Sequence, residues 1–301
     1  MYDWKGSIKG VAAGTVVGVL FGLVGFLFSE IPQTHAMGPV MFFLVPMAAG
    51  FAITTVTHGP GEMSAAALLS VLGSLGVLIA SGAETPLCAV LAFPLLFLGL
   101  VIGVTLAHLF RKIAKRGGGI TLRSIVFLSV PMLVIAGHRV ELSTLVHSRQ
   151  EVVTSSVWLA AEPDQVWVAL RSFDSMIAEK PVLMYIGLPV PVRCTMQGNG
   201  LGATRTCFFD QGSIEETITG WNPPAQMRLV IDRTNLPGRH WLGFQDAEYD
   251  LWQSNGGTLL TRKTTIISNL YPARYWRPFE RWGVASEHEY IFRDLVRRLN
   301  H

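Results

Sequence analysis

The sequence predicts an N-terminal all-α transmembrane bundle of about five spans. It is followed by a C-terminal α+β domain, in which a curved antiparallel sheet surrounds a long C-terminal helix. Two observations predict this division. Between Val11 and Phe110 the chain has no Lys, Arg or Asp, whereas a soluble domain spends about a quarter of its residues on charge. From Glu151 onward, short alternating segments separated by turn residues replace the long apolar runs.

The change in composition places the bundle at residues 1–140, a linker at 141–150 and the second domain at 151–301. The net charge of +3 comes from the first part, because the second part is nearly neutral and has no basic run. Without such a run there is no electrostatic footprint for nucleic acid, so a nucleic-acid partner is not expected.

A helix needs about 20 apolar residues to cross the hydrocarbon core. Five segments are predicted to cross: Ile8–Ser29, Pro39–Thr57, Met63–Ser81, Pro86–Phe110 and Ile120–Ala136. The last segment is the shortest and contains Pro131, so it crosses only if it stands nearly upright.

Basic residues predict the orientation. Lys5 and Lys9 precede the first span, and a basic cluster at 111–116 follows the fourth. Cytoplasmic loops collect Lys and Arg, so an even number of spans between the clusters places the N-terminus in the cytoplasm. A fifth crossing then places the second domain on the periplasmic or extracellular face of a bacterial inner membrane. If Ile120–Ala136 only lies along the interface, that domain is cytoplasmic. We favour crossing because the segment is apolar all round.

Small residues recur every four positions in the first span, at Gly14, Gly18 and Gly22. This spacing lets two helices approach closely. The face is predicted to pack inside the bundle, with a homo-oligomer contact as the alternative.

The second part is predicted to contain a strand, a helix, a short helical or irregular segment, six antiparallel strands and a long helix. Their bounds are Val153–Ala160, Asp164–Phe173, 175–185, 192–267 and Pro272–Leu299. Pro278 and Gly283 are expected to interrupt the last helix. A sheet that grips one amphipathic helix commonly leaves a cavity between them.

Four short sequence segments resemble those of a known family. They are Ala161-Glu-Pro-Asp-Gln-Val-Trp, Gly200-Leu-Gly-Ala-Thr-Arg, Glu215–Pro223 and Tyr271–Tyr275. Over residues 151–299 the chain resembles the START/Bet v 1-like superfamily, in its polyketide cyclase/dehydrase (SRPBCC) branch. The resemblance does not extend to the membrane part. It implies a helix-grip fold with a cavity for hydrophobic ligands such as lipids, sterols, quinone-like molecules or polyketides. Only a minority of this family catalyses a reaction, and the fold does not choose the function.

Two polar residues are candidates for chemistry. His288 lies on the helix face expected to line the cavity and is a weak catalytic candidate. The favoured alternative is a packed core histidine, because no second catalytic group is fixed beside it. Arg205 is suited to a ligand carboxylate or phosphate, but an ion pair with Glu215 or Glu216 on the next strand is favoured.

Aromatic residues complete the predicted site. The ligand-binding residues expected are Trp167, Arg205, Trp221, Tyr249, His288 and Phe292.

Cys194 and Cys207 bracket a hairpin turn. A turn centred on Gly200-Leu201 places the two cysteines opposite each other, where a disulfide can form in an oxidising compartment. A two-residue Asn199-Gly200 turn instead places Cys194 opposite Arg205. Asn-Gly is the stronger turn signal, so the second register is slightly favoured.

The function predicted is membrane-anchored binding of a hydrophobic or amphipathic small molecule, with transfer or sensing as further uses of that binding. One alternative is a cyclase/dehydratase-type enzyme, and another is a non-binding interaction module. The expected partners are membrane lipid and the small molecule. No metal-ligand spacing or cofactor motif is present in the sequence, so neither is predicted.

Overall fold

The structure is a computed structural model. It describes residues 4–29, 37–114, 132, 135–137, 139–141, 148–238 and 241–299. The chain divides into two compact units. Unit 1 comprises Met1–His147 with Asn269–Pro272, and unit 2 comprises Ser148–Ser268 with Ala273–His301.

Unit 1 is helical. The helices described are α1 Trp4–Ser29, α2 Val45–Val56, α3 Pro60–Ala80 and α4 Pro86–Ala114. A π-helical turn, Val40–Leu44, leads into α2. α1 packs against α2 and α3, and α4 packs against the same two helices. Proline suits the first turn of a helix, where its missing N–H has no partner to lose, and both α3 and α4 begin with one.

Among the residues that the structure describes, three helices are long and apolar enough to cross a membrane: Ser7–Leu27, Pro60–Ala80 and Pro86–Arg111. The predicted span Pro39–Thr57 is a shorter apolar helix, Val40–Val56, because Thr57 adopts an extended backbone and ends it. The predicted span Ile120–Ala136 lies almost wholly outside the described residues. Five spans are therefore not supported, whereas the apolar helical region is confirmed.

The glycine face of α1 packs within unit 1. The residues of α3 that it meets are Ala66, Ser70 and Ser74. A Cβ atom added to Gly14 would lie 2.9 Å from the Cβ of Ala66, and one added to Gly22 would lie 2.6 Å from the Oγ of Ser74. The structure thus places Gly14, Gly18 and Gly22 against α3, as expected for packing inside the bundle.

Unit 2 contains one seven-stranded sheet. Its strands are β1 Arg149–Leu159, β2 Pro191–Gln197, β3 Thr204–Phe209, β4 Gly212–Asn222, β5 Gln226–Thr234, β6 Leu242–Ser254 and β7 Gly257–Ser268. The order is β1-β7-β6-β5-β4-β3-β2, with antiparallel pairing throughout. The first and second strands in sequence are therefore the two edges, which confirms the predicted antiparallel sheet.

Three helices accompany the sheet: α5 Pro163–Arg171, α6 Val182–Tyr185 and α7 Ala273–Leu299. α5 begins with a capping box, in which Glu162 and Gln165 satisfy each other's backbone N–H groups. α7 is the predicted long C-terminal helix, but it runs without the expected interruption. Pro278 removes one backbone donor near the start of a 27-residue helix, and the remaining hydrogen bonds and the packing of α7 maintain it.

The apolar core of unit 2 joins the sheet to α5 and α7. Its fully buried members include Leu159, Val166, Met227, Leu229 and Leu260. Ile291, Phe292 and Leu295 supply the face of α7 that packs on this core. Their helical spacing is why the sequence predicts a buried stripe on this helix.

Candidate functional site

A cavity of about 680 Å³ lies between β1 and α7 and opens to solvent. The residues that line it are Ser155, Ser156, Val157, Glu179, Ala285, Glu289, Phe292, Arg293, Val296 and Arg297. β1 is an edge strand of the sheet, so the cavity lies at that edge. We refer to this space as the β1–α7 cavity.

The lining of the β1–α7 cavity is mixed: four residues are apolar, and the other six are serines, acids and arginines. Glu289 and Arg293 form one ion pair on α7, with 2.5 Å between their atoms, and Arg297 lies 3.7 Å from Glu179. Two acids and two arginines cancel in formal charge. The cavity therefore offers both apolar and polar contacts, which suits an amphipathic molecule, and it supplies no net charge for a charged group.

His288 lies next to this cavity, within the packed interior. Its side chain is fully buried, its Nε2 lies 2.8 Å from the Oγ1 of Thr264, and its Nδ1 lies 3.0 Å from the Oγ of Ser155. Burial, together with the nearby charge of Arg262, lowers the pKa of His288 to about 2. The imidazole is therefore neutral at physiological pH and links two hydroxyl groups.

Arg205 belongs to a buried ion pair. Its guanidinium lies 3.3 Å from the carboxylate of Glu216, directly opposite on β4, and both side chains are buried. Burial alone would lower the pKa of Arg205, but Glu216 and Tyr249 outweigh it and raise the pKa above its ordinary value. Desolvation raises the pKa of Glu216, although Arg205 and Arg262 oppose that shift.

Tyr249 lies between two arginines. The guanidinium carbon of Arg205 is 5.9 Å from the centre of its ring and that of Arg262 is 5.3 Å from it. Arg262 pairs with Glu287 of α7 at 2.9 Å. These five residues form a charge-balanced network in the middle of the sheet, which joins β3, β4, β6 and β7 to the helix.

The two predicted tryptophans lie together. Trp167 of α5 and Trp221 of β4 meet edge to face, with 4.9 Å between ring centres. Arg171 lies 5.5 Å from the Trp221 ring centre. Trp167 is buried, and both rings pack on the apolar core.

Cys194 and Cys207 are paired in register between β2 and β3, and their sulfurs form a disulfide. The register that places Cys194 opposite Arg205, which Asn199-Gly200 slightly favours from sequence, is therefore wrong. Gly198, Gly200 and Gly202 all have positive φ, and they allow a longer loop in place of a two-residue turn. The bridge packs against Phe173.

The structure divides the predicted site residues into three groups. Phe292 lines the β1–α7 cavity, and His288 lies behind that cavity, bonded to Ser155. Arg205 and Tyr249 belong to the buried network, while Trp167 and Trp221 pack on the core. Sequence reasoning missed Ser155, although the alternation Val153, Ser155, Val157 along β1 points its side chain inward.

Among known proteins, only solved structures are similar to this chain. No family model and no curated protein match this chain. A START superfamily protein from Mycobacterium smegmatis has a TM-score of 0.36 at 10% identity, covering 50% of this chain and 97% of its own. Ara h 8.0201 has a TM-score of 0.33 at 11% identity, covering 50% and 99%.

Norcoclaurine synthase from Thalictrum flavum, solved with dopamine and hydroxybenzaldehyde, has a TM-score of 0.33 at 11% identity. That similarity covers 51% of this chain and 89% of the synthase. Solved structures similar to about half of this chain thus include START-superfamily and Bet v 1-like proteins, and the fold itself follows from the seven-stranded sheet and long helix described above.

Proposed function

We propose that unit 2 binds a hydrophobic or amphipathic small molecule and that the apolar helices of unit 1 anchor it to a membrane. The observation that carries this proposal is the β1–α7 cavity. Its volume of about 680 Å³ falls within the range of roughly 300–1,000 Å³ typical of small-molecule sites. Its mixed apolar and polar lining suits a molecule that has an apolar body and a few polar groups.

The middle of the sheet is a poorer place for such a ligand. Arg205, Glu216 and Tyr249 are each less than a tenth exposed and are engaged with one another. A ligand at that position would have to displace an ion pair, which leaves buried charges without partners. The proposed ligand therefore lies at the edge of the sheet, beside β1.

A cyclase or dehydratase reaction at His288 and Arg205 is not favoured. A general acid or base needs a pKa near the working pH, and burial lowers the pKa of His288 to about 2. Arg205 is paired with Glu216. We therefore propose binding, with transfer or sensing as its use.

Membrane anchoring suits an apolar ligand. Such a molecule concentrates in the bilayer, and a tether raises the effective concentration of the binding domain there. We propose a bacterial inner membrane, a cytoplasmic N-terminus and an outward-facing unit 2. The Cys194–Cys207 disulfide supports that orientation, because disulfides persist in oxidising compartments.

The first turns of α7 supply a surface suited to lipid headgroups. Arg277 and Arg281 are both more than half exposed and share the carboxylate of Glu151, at 3.1 and 3.4 Å. Trp282 beside them is 52% exposed. Arginine and tryptophan together are typical of membrane interfaces, so we propose that this surface meets membrane lipid. A photoreactive residue at position 282 should crosslink lipid, whereas one at the exposed Trp252, at the other end of the sheet, should not.

Filling the cavity tests the ligand proposal. Full-length protein purified in detergent is expected to carry an apolar small molecule detectable by native mass spectrometry, and to bind Nile red. Ala285→Trp places an indole in the cavity and should abolish both. Val168→Trp, at a position 64% exposed on α5, is the matched control and should change neither. If the wild-type protein carries no apolar molecule and binds no dye, the proposal is wrong.

A further inference from the structure

Ser155 brings an oriented hydroxyl group to the wall of the β1–α7 cavity. Behind it, His288 lies 3.0 Å away through Nδ1, and Thr264 lies 2.8 Å from the other ring nitrogen. His288 is fully buried and Thr264 is 3% exposed, so packing holds both in place. Ser155 is half-buried, and of the three residues in this chain of hydrogen bonds it is the one that lines the cavity.

The hydroxyl of Ser155 retains hydrogen-bonding capacity towards the cavity. A serine hydroxyl has one donor and two acceptor positions, and His288 occupies one of them. If Nδ1 carries the imidazole proton, Ser155 accepts from it and its own proton is free to donate. If Nδ1 is unprotonated, Ser155 donates to it and its lone pairs are free to accept. A ligand hydroxyl both donates and accepts, so it fits either tautomer.

The surroundings of Ser155 favour an uncharged ligand. On the rim, Arg293 pairs with Glu289 and Arg297 lies beside Glu179. Farther inside, Arg262 pairs with Glu287 at 2.9 Å. Each cation described around this site has an acidic partner, so an ionised head group would be partly desolvated without a counter-charge, which is costly.

We propose that the β1–α7 cavity takes a lipid-like alcohol, whose uncharged hydroxyl bonds to Ser155 and whose apolar body lies against Val157, Phe292 and Val296. The inference rests on the proposed function and names the class of ligand. It assigns Ser155 as the residue that selects an alcohol over a hydrocarbon, with His288 and Thr264 as positioning residues.

The experiment uses two photoreactive probes with full-length protein in phosphatidylcholine nanodiscs. One is a dodecanol with a diazirine at the far end of its chain, and the other is the matching alkane without the hydroxyl. Mass spectrometry measures the adduct yield on peptides from β1 and α7 at subsaturating probe. Ser155→Ala should lower the yield of the alcohol about fivefold, the effect of one neutral hydrogen bond, and leave that of the alkane unchanged.

Ser156→Ala is the matched control. Ser156 also borders the cavity, but side chains alternate along β1, and its hydroxyl, 2.9 Å from that of Thr261, lies on the opposite, exposed face. Neither yield should therefore change. If Ser155→Ala leaves alcohol labelling unchanged, or lowers both yields equally, the inference about Ser155 is wrong while the proposed function stands. If neither probe labels β1 or α7 in the wild-type protein, the proposed function fails as well.

Discussion

Arg205 and Glu216 face each other directly across β3 and β4, and their side chains form an ion pair at 3.3 Å. Both are buried, whereas the neighbouring Glu215 is 49% exposed and lies 4.0 Å from the exposed Arg233. Two adjacent glutamates therefore have opposite environments, because side chains alternate between the two faces of a strand.

Glu216→Gln is expected to lower the free energy of unfolding of unit 2 by about 3–5 kcal/mol, since it leaves the charge of Arg205 buried and unpaired. Urea unfolding followed by tryptophan fluorescence reports on this unit, because all the tryptophans except Trp4 lie beyond residue 148. Glu215→Gln, the matched control, should stay within about 0.5 kcal/mol of the wild type. Equal effects of the two changes would contradict the burial of the pair.

The stability of unit 2 should fall as pH decreases below the ordinary pKa of histidine. An unfolded His288 takes up a proton near pH 6.5, but in the folded protein its pKa is lowered to about 2. The unfolded state then binds more protons, so the free energy of unfolding falls by up to about 1.4 kcal/mol per pH unit between these values. This contribution is fully present above pH 6.5.

His288→Gln removes the titrating group and keeps an amide that can bond to both hydroxyls. The difference in unfolding free energy between wild type and variant should shrink as pH falls from 7 to 4. Urea midpoints at several pH values measure it. A difference that stays constant over this range would show that His288 does not stay neutral in the folded protein.

Counting reactive thiols tests both the disulfide and the compartment. The chain has three cysteines, of which Cys88 is free. Protein denatured without reductant should therefore take one maleimide-polyethylene glycol label, and three after reduction. Cys88→Ser should give none and then two. Three labels without reductant would place Cys194 and Cys207 in a reducing compartment and remove the support for an outward-facing unit 2.

Adding one methyl group to α1 should disrupt unit 1. A Cβ atom at Gly18 would lie 2.6 Å from the Cβ of Ser70 in α3, closer than packed carbon atoms approach. Gly18→Ala should therefore lower the temperature at which the detergent-solubilised protein loses its monodisperse peak. Gly76→Ala in α3 meets nothing within 4 Å and should have no such effect. Equal tolerance of both changes would contradict the packing of α1 on α3.

Much of the fold was predictable because it depends on local patterns. The alternation of apolar residues and the turn residues between strands gave the antiparallel order of unit 2, and the spacing of Ile291 and Leu295 gave the buried face of α7. The continuous helix through Pro278 was not predictable. A proline within a helix predicts a break from the local sequence, and the tertiary packing that maintains α7 cannot be read from that sequence.

The sequence by itself determined an apolar helical part, an antiparallel sheet and a long C-terminal helix. Each of these follows from a local pattern: long apolar runs, alternation of apolar and polar residues, or apolar residues at helical spacing. The tertiary structure alone decided the register that joins Cys194 to Cys207, the pairing of Arg205 with Glu216 and not Glu215, and the contact of Ser155 with His288. Ser155 and His288 are distant in sequence, and the register of the other two pairs depends on the conformation of the loop between their strands. Only the alignment of whole strands and helices brings their side chains within bonding distance.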